Sequence, residues 1–552
     1  MSNGPQYIIL KEGSSESKGR DAQRNNMQAA KLIAEFVKTS LGPRGMDKML
    51  VDSLGDVTIT NDGATMLKEI DVQHPAAKMM VEISKATDNE VGDGTTSGVI
   101  LAGSLLEKAE DLINQDVHPT VVVDGYMKAL EKAEQVLEKI AEKVDPTSRA
   151  DLIRVATTSM QTKLVSDDAP FLAGLVVDAV SQVAEKVGDS YRVDIDNVKV
   201  EKKPGGSMND TKLISGVALD KEVVHSAMPK KIEGAKIALI NSPLEIEKTE
   251  FSAEIRINDP SQMQQFLDEE SNILKGMVQK IADSGANVLV CQKGIDDSAQ
   301  QYLARAGIMA VRRVKESDMT KISKATGARI VTNLDDLSAK DLGHSKIAEE
   351  RKVEEDKWVF IEGAKNPKAV TLLVRGGSQR VVDEAERSMH DAIMVTKDVI
   401  EKPAVVAGGG APEVEVSYQV REWAQKLTGR EQLAALKFAE AVEVIATILA
   451  ENAGMDPIDT QVELRARHGK GEKWAGVDAL SGKVSNMMSK GVVEPLAVKL
   501  QILKAATEAA SMLLRIDDVI ASSKMSAPPP GAGGGGMGGM GGMGGMGGMP
   551  GM

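Results

Sequence analysis

Residues 92–97, Gly-Asp-Gly-Thr-Thr-Ser, crowd two glycines, an aspartate and three hydroxyl side chains into six positions. Glycines let a backbone turn sharply and come close to a phosphate. A helix starting near Thr95 would aim its unpaired N–H groups and positive dipole end at that phosphate. Asp93 offers a hard oxygen to Mg²⁺, which takes one or two carboxylates beside phosphate oxygens and water. The plain alternative is a helix–helix turn in which Asp93 caps a helix. No G-x-x-x-x-G-K-[ST] occurs in the chain, so the usual phosphate loop is absent.

Other candidate groups are dispersed, and each has an ordinary explanation. Asn61-Asp62-Gly63 has the composition of a tight turn. Asp391 falls opposite the apolar stripe Val382, Ala385, Met389, Ala392, Thr396 and Val399, which reads as a solvated carboxylate. Leu41-Gly42-Pro43 reads as a helix stop. Gly408-Gly409-Gly410 reads as a flexible connection, or as bare backbone on which a ligand could lie flat. The six histidines are scattered without metal-ligand spacing.

Positioning such groups needs a scaffold, and 552 residues are too many for one core, so three or so domains are expected. The composition is that of an ordinary globular protein, and with 3% aromatics the cores must be built from Val, Ile, Leu, Ala and Met. A net charge of -14 disfavours a nucleic-acid-binding surface. The single cysteine, Cys291, excludes an internal disulfide and fits a reducing compartment. The first residues lack a signal-peptide core, and no window approaches 18 apolar residues. The expectation is a cytoplasmic protein that neither spans a membrane nor binds nucleic acid.

Met27, Ala30, Ala34, Val37 and Leu41 step by three and four, which predicts a helix ended by Gly42-Pro43. Two short strands and the turn at Asn61-Asp62-Gly63 come next. Helices are predicted from near Pro75, over Val99–Ile113, and from about Pro119 to Val144. From about 234 the runs AKIALI, NVLVC, IMAVRRV and ARIV appear, the last three separated by helical patterns, which predicts a parallel sheet. No G-x-G-x-x-G follows a strand there, so a dinucleotide fold is rejected. Residues 244–275 interrupt the pattern and read as an insertion. Asp259-Pro260 would open a helix whose exposed tip carries Ile255, Ile257, Met263 and Phe266. The remainder to about Lys524 is helical, so both ends are helical around a sheet-bearing centre. The Gly-Met-rich residues 525–552 cannot form a core and are expected to be disordered.

In order along the chain come TSLGPRGMDKML (39–50), ITNDGATMLKEI (59–70), HPAAKMM (74–80), GDGTTSGVILAG (92–103), VRGG (374–377), MHDAIMV (389–395), GGGAPEVEVS (408–417) and NAGMDPID (452–459). This set closely resembles the group II chaperonins, which comprise the archaeal thermosome and the eukaryotic cytosolic chaperonin. The resemblance spans essentially the whole chain. It implies a multidomain fold of mixed α and β: a mainly helical, ATP-binding equatorial domain from 1–146 and 405–524, a small α/β intermediate domain from 147–215 and 368–404, and an α/β apical domain at 216–367. Residues 244–275 look like the helical protrusion that serves group II rings as a built-in lid.

The same resemblance assigns roles. Asp93 looks like the Mg²⁺ ligand, and Gly94, Thr95, Thr96 and Ser97 like the phosphate cradle. Leu41, Gly42 and Pro43 match the segment lying along the nucleotide, and Gly409 and Gly410 the glycines beside the ribose and base. Ala479, Leu480 and Glu494 look like base and ribose contacts. Lys163 resembles the lysine that senses the terminal phosphate, although its surroundings depart from the more usual Gly-Lys pattern. Asp62 and Asp391 are implied as the groups that orient or deprotonate the attacking water, Asp391 being carried in by hinge closure. The implied activity is an ATP-driven chaperone using ATP and Mg²⁺. Copies of itself or paralogous subunits would stack as two rings around non-native client proteins. The rival readings are an ATP-regulated structural ring or filament protein and a small-molecule kinase.

Overall fold

The computed structural model describes residues 14–163, 165–246, 260–365 and 367–522. They divide into two bodies, residues 24–515 and a small one from the two ends of the described chain. Strand β1 (Ser14–Lys18) leads into α1 (Gly19–Lys38), where the 3,4-spaced Met27, Ala30, Ala34 and Val37 are buried. β2 (Lys48–Val51) and β3 (Val57–Thr60) form an antiparallel hairpin. Its turn is closed by the Asp52 carboxylate, which accepts from the amides of Leu54 and Asp56. The tight turn expected at Asn61-Asp62-Gly63 is therefore not one. Asp62 instead caps α2 (Gly63–Glu69), accepting from the Thr65 amide, because an Asx side chain serves an N-cap as readily as a turn.

α3 (Pro75–Val91) starts with proline in its first turn and the His74 ring accepting from the Ala76 amide. α4 (Thr95–Ile113) is buried along most of its length, and α5 (Pro119–Ile140) comes after it. The last of these stops short of Val144 because Glu142 and Lys143 leave the helix as β4 (Glu142–Lys143) to pair with residues 404–405. Next come α6 (Arg149–Met160), α7 (Ala169–Val183), the hairpin of β5 (Glu185–Val187) and β6 (Ser190–Arg192), then β7 (Val198–Pro204) and β8 (Lys212–Ile214).

A seven-stranded sheet is built from β9 (Gly216–Leu219), β10 (Lys231–Ile240), β11 (Val288–Cys291), β12 (Met309–Val311), β13 (Ile330–Val331), β14 (Gly343–Val353) and β15 (Asp356–Glu362). α8 (Pro260–Asp283), α9 (Asp297–Arg305) and α10 (Glu316–Thr326) connect its parallel part. β10 pairs in parallel with β11 and β13, and β11 with β12; every residue of β11 and β12 is buried, as strands covered on both faces require. The expected parallel sheet is only half the sheet, however. β14, β15 and β9 extend it antiparallel from the edge of β10 opposite β11, the edge that β13 shares. α8 begins at Pro260 and exposes Phe266 and Leu267. The expected tip residues Ile255 and Ile257, and the Met263 side chain, lie outside the described residues, as does the segment 525–552.

β16 (Val370–Gly376) pairs in parallel with β7, returning the chain to residues 198–204. After α11 (Gln379–Glu401) come β17 (Ala404–Ala407), α12 (Ala411–Ala424), α13 (Arg430–Val442), α14 (Val444–Asn452) and α15 (Pro457–His468). The hairpin of β18 (Ala475–Asp478) and β19 (Lys483–Asn486), then β20 (Val493–Pro495) and α16 (Leu496–Leu514), close the larger body. Here the two halves of the chain interlock: β17 lies between β4 and β20, and α13 and α16 both pack on α4 and α5. Tyr126 meets Phe438 edge to face at 5.9 Å, its hydroxyl donating to the Leu105 carbonyl at 2.8 Å. In the small body β1 pairs antiparallel with β21 (Asp518–Ser522).

α11 carries an unusual load for a buried helix. Glu384, Asp391 and Asp398, spaced by seven, are all buried. Burial drives the Asp398 carboxyl up to about 7, against the charges of Lys397 and Lys402. The folded chain thus keeps a proton there that the unfolded chain has already lost above the ordinary carboxylate range, so stability falls as pH rises towards 7. Asp398→Asn should raise the melting temperature at pH 8, by a stability on the order of 2 kcal/mol. That gain should shrink to nothing near pH 4; a gain independent of pH would refute it.

Candidate functional site

A cleft open to solvent lies within the larger body. It is lined by every candidate residue except Asp391: Leu41, Gly42 and Pro43, then Asp62, Asp93, and Gly94 to Ser97. Lys163, Gly409, Gly410, Ala479, Leu480 and Glu494 complete that set. Its floor is the start of α4. Gly94 sits at the N-cap with φ 78° and no side chain caps the helix, so the first amides face outward unclaimed by a cap. The backbone angle there favours glycine, and a Cβ would also press on Ile502 Cδ1, 2.4 Å away.

Gly63 brings the second helix start against the first. A Cβ there would sit 2.8 Å from the Thr96 amide nitrogen, so only glycine lets α2 and α4 touch. The contact places Asp62 beside Thr95, whose hydroxyl donates to Asp62 Oδ1 at 3.4 Å while the Thr65 amide donates to Oδ2 at 2.8 Å. Burial alone would push the Asp62 carboxyl up. The Lys163 ammonium and the Thr65 bonds outweigh it and hold the group below the usual carboxylate range. Asn61 Nδ2 donates to the Thr162 carbonyl at 2.6 Å, fastening the loop that bears Lys163 to the loop that bears Asp62.

Lys163 is buried and ion-paired with Asp391. The solvated carboxylate expected at Asp391 is therefore a correction: it is 6% exposed. The apolar stripe marks one buried face of α11 correctly, but α11 packs against α3, α6 and α7 as well as β7 and β16, so more than one face is covered. Asp391 stands behind Lys163, one side chain back from the cleft.

At the far end, Gly409 and Gly410 precede α12, and Ala479 and Leu480 form the turn between β18 and β19. Asn452, from the NAGMDPID stretch, donates to the Leu41 carbonyl at 2.9 Å and so holds the Leu41-Gly42-Pro43 wall. Sequence reasoning missed Lys499 and Glu413. Lys499 Nζ lies 2.8 Å from Glu413 Oε1 and 2.7 Å from Glu494 Oε2. Burial pushes the Glu494 carboxyl up despite that ammonium, which opposes it. A lone cation inside the apolar run LAVKLQIL was the available signal, since a lysine on a buried helix face needs a partner.

Among the described residues no group of three or more His, Cys, Asp or Glu could hold a metal by itself. Asp93 at the cleft wall beside the Thr95 and Thr96 hydroxyls is instead the sparse oxygen set that suits Mg²⁺, which brings water and phosphate oxygens of its own. No described helix is long and apolar enough to cross a membrane.

The sequence profile of the TCP-1/cpn60 chaperonin family matches residues 33–524. A thermosome subunit of Methanopyrus kandleri is 57% identical over 95% of this chain and 96% of its own length. The thermosome subunit alpha of Archaeoglobus fulgidus is 58% identical over 94% and 95%, respectively. The thermosome subunit beta of Thermococcus kodakarensis is 56% identical over 95% and 96%.

Proposed function

The chain belongs to the TCP-1/cpn60 chaperonin family, and we propose that its chaperone activity is driven by hydrolysis of ATP to ADP and phosphate in the cleft at the start of α4. The observation that carries this is the meeting of an uncapped helix N-terminus, Asp93, Asp62 and Lys163 in one cleft, with Asp391 paired to Lys163 behind it. Phosphoryl transfer asks the protein mainly for alignment, charge neutralisation and a placed water. The α4 amides and Thr95, Thr96 and Ser97 would grip the phosphates. Asp93 would hold a Mg²⁺, whose charge offsets that of the phosphates. Asp62, kept ionised, would orient the attacking water. Lys163 would turn from Asp391 to the terminal phosphate, which releases the Asp391 carboxylate to take the water's proton. Gly409, Gly410, Ala479, Leu480 and Glu494 would hold base and ribose, with Leu41, Gly42 and Pro43 along the nucleotide.

In the wider reading, 1–146 with 405–524 form an equatorial domain, 147–215 with 368–404 an intermediate one, and 216–367 an apical one. Residues 244–275 would act as a lid over clients bound by their exposed apolar surface, the property that also makes such chains aggregate. Copies of this chain or its paralogues would form two stacked rings. The test is phosphate release from ATP and Mg²⁺ by the purified chain, together with client refolding. Release is expected without any acceptor, and refolding should be lost when 244–275 is deleted from rings that still assemble in electron micrographs. Absence of release, dependence on an acceptor, or refolding by lidless rings would overturn the reading.

A further inference from the structure

The last turn of α15 ends in two side chains that the proposed chemistry does not use. Arg467 Nη1 donates to the Val484 carbonyl of β19 at 2.9 Å, and His468 Nε2 lies 2.9 Å from the Ala475 carbonyl of β18. Both strands of the hairpin that carries Ala479 and Leu480 thus hang from one helix end. His468 reaches further. Its Nδ1 lies 2.6 Å from Glu415 Oε2 on α12, the helix that Gly409 and Gly410 precede. A carbonyl can only accept, so Nε2 donates to Ala475. Burial would push the Glu415 carboxyl up, yet the bonds with His468 and the Gln419 amide hold it low. The imidazole is 2% exposed and bridges two elements through both nitrogens.

We propose that His468 is a positioning residue for the base-and-ribose end of the nucleotide cleft, clamping β18 to α12 so that Ala479 and Leu480 face Gly409 and Gly410 at a fixed distance. The clamp lies in parallel with a backbone bond, Val477 N–H to the Gly409 carbonyl at 2.8 Å, which sets the same spacing at the cleft wall itself. Between β18 and α12 the backbone bond fixes one point, and a second anchor through a buried side chain resists rotation about it. The phosphate end is built by α2 and α4, whereas α15 packs on α12, α14, β18 and β19, so loosening the clamp should affect one end of the ligand only.

This inference rests on the reading that the cleft binds ATP, and the two can fail separately. In the full-length assembled protein, His468→Leu should raise the KM for ATP about tenfold, the factor that a loss of 1.4 kcal/mol produces. kcat should change less than about twofold, since the interaction is uniform binding rather than transition-state stabilisation. Affinity for magnesium tripolyphosphate, which has neither base nor ribose, should be unchanged. Glu415→Gln keeps the shape and weakens the bridge, so it should show the same pattern at smaller amplitude, and it carries the test if His468→Leu fails to fold. The proposal is overturned if tripolyphosphate affinity falls in step with ATP affinity, if kcat falls while KM holds, or if neither variant moves the KM for ATP. A parent protein that neither binds nor hydrolyses ATP would overturn the proposed function itself.

Discussion

Asp391→Asn should lower the kcat for ATP hydrolysis by about 10²–10⁴-fold, the usual contribution of a placed general base, while ATP affinity stays within about threefold. The separation follows from position. Asp391 does not line the cleft and meets it only through Lys163, so a bound nucleotide would touch the lysine and not the carboxylate. Asparagine keeps the volume and one accepting oxygen against Lys163. Alanine would add a void beside a buried ammonium, and a buried charge stripped of its partner costs about 3–5 kcal/mol. The asparagine variant therefore separates chemistry from folding, and Asp62 still faces the lysine charge. Single-turnover phosphate release with equilibrium nucleotide binding on the same sample checks it. Lost binding at normal turnover would move Asp391 from the reaction to the scaffold, and unchanged turnover would remove it from the mechanism.

Lys499→Met should be the most damaging single change to stability in the cleft wall, by about 3–5 kcal/mol. Lys499 is 5% exposed, and its ammonium serves Glu413 and Glu494 together. Methionine fills the space of the stem and leaves two carboxyls facing each other without a cation. Glu413 Oε2 already lacks a hydrogen-bond partner, so the site has no spare donor to take over. Burial and the neighbouring carboxylate would then favour protonation of one of the pair, so the variant should recover part of its stability as pH falls towards 5. Thermal unfolding at pH 5 and 8 measures both effects. A melting temperature equal to that of the parent at both pH values would show that the triad contributes no net stability.

The sequence alone foreshadowed these two residues unequally. Asp391 stands in a recognisable motif, yet its helical position pointed to solvent. The stripe Val382 to Val399 reports where apolar side chains lie, and a helix covered on several faces hides its polar residues as well. Lys499 left a weaker trace, one lysine in an apolar run, and its meaning depended on Glu413 and Glu494, which no local pattern connects to it. The Asn61-Asp62-Gly63 stretch went wrong for a related reason: a short Asx side chain caps a turn and a helix start equally well, and only the packing of α2 against α4 decides between them.

What the sequence determined by itself is whatever depends on a few neighbouring residues. The left-handed glycine and helix start at Gly94-Thr95, the proline-led helices at Pro75 and Pro119, and the parallel strands with their intervening helices all come from local backbone preference and apolar spacing. The tertiary structure decided which of these meet: that β14 and β15 turn half the sheet antiparallel, that β4 breaks from α5 to join β17, and that Asp391 and Asp62 both gather around Lys163. The physical reason is range. Backbone conformation is set within a turn or two of chain, whereas burial and charge state are set by atoms that come close in space whatever their separation in sequence.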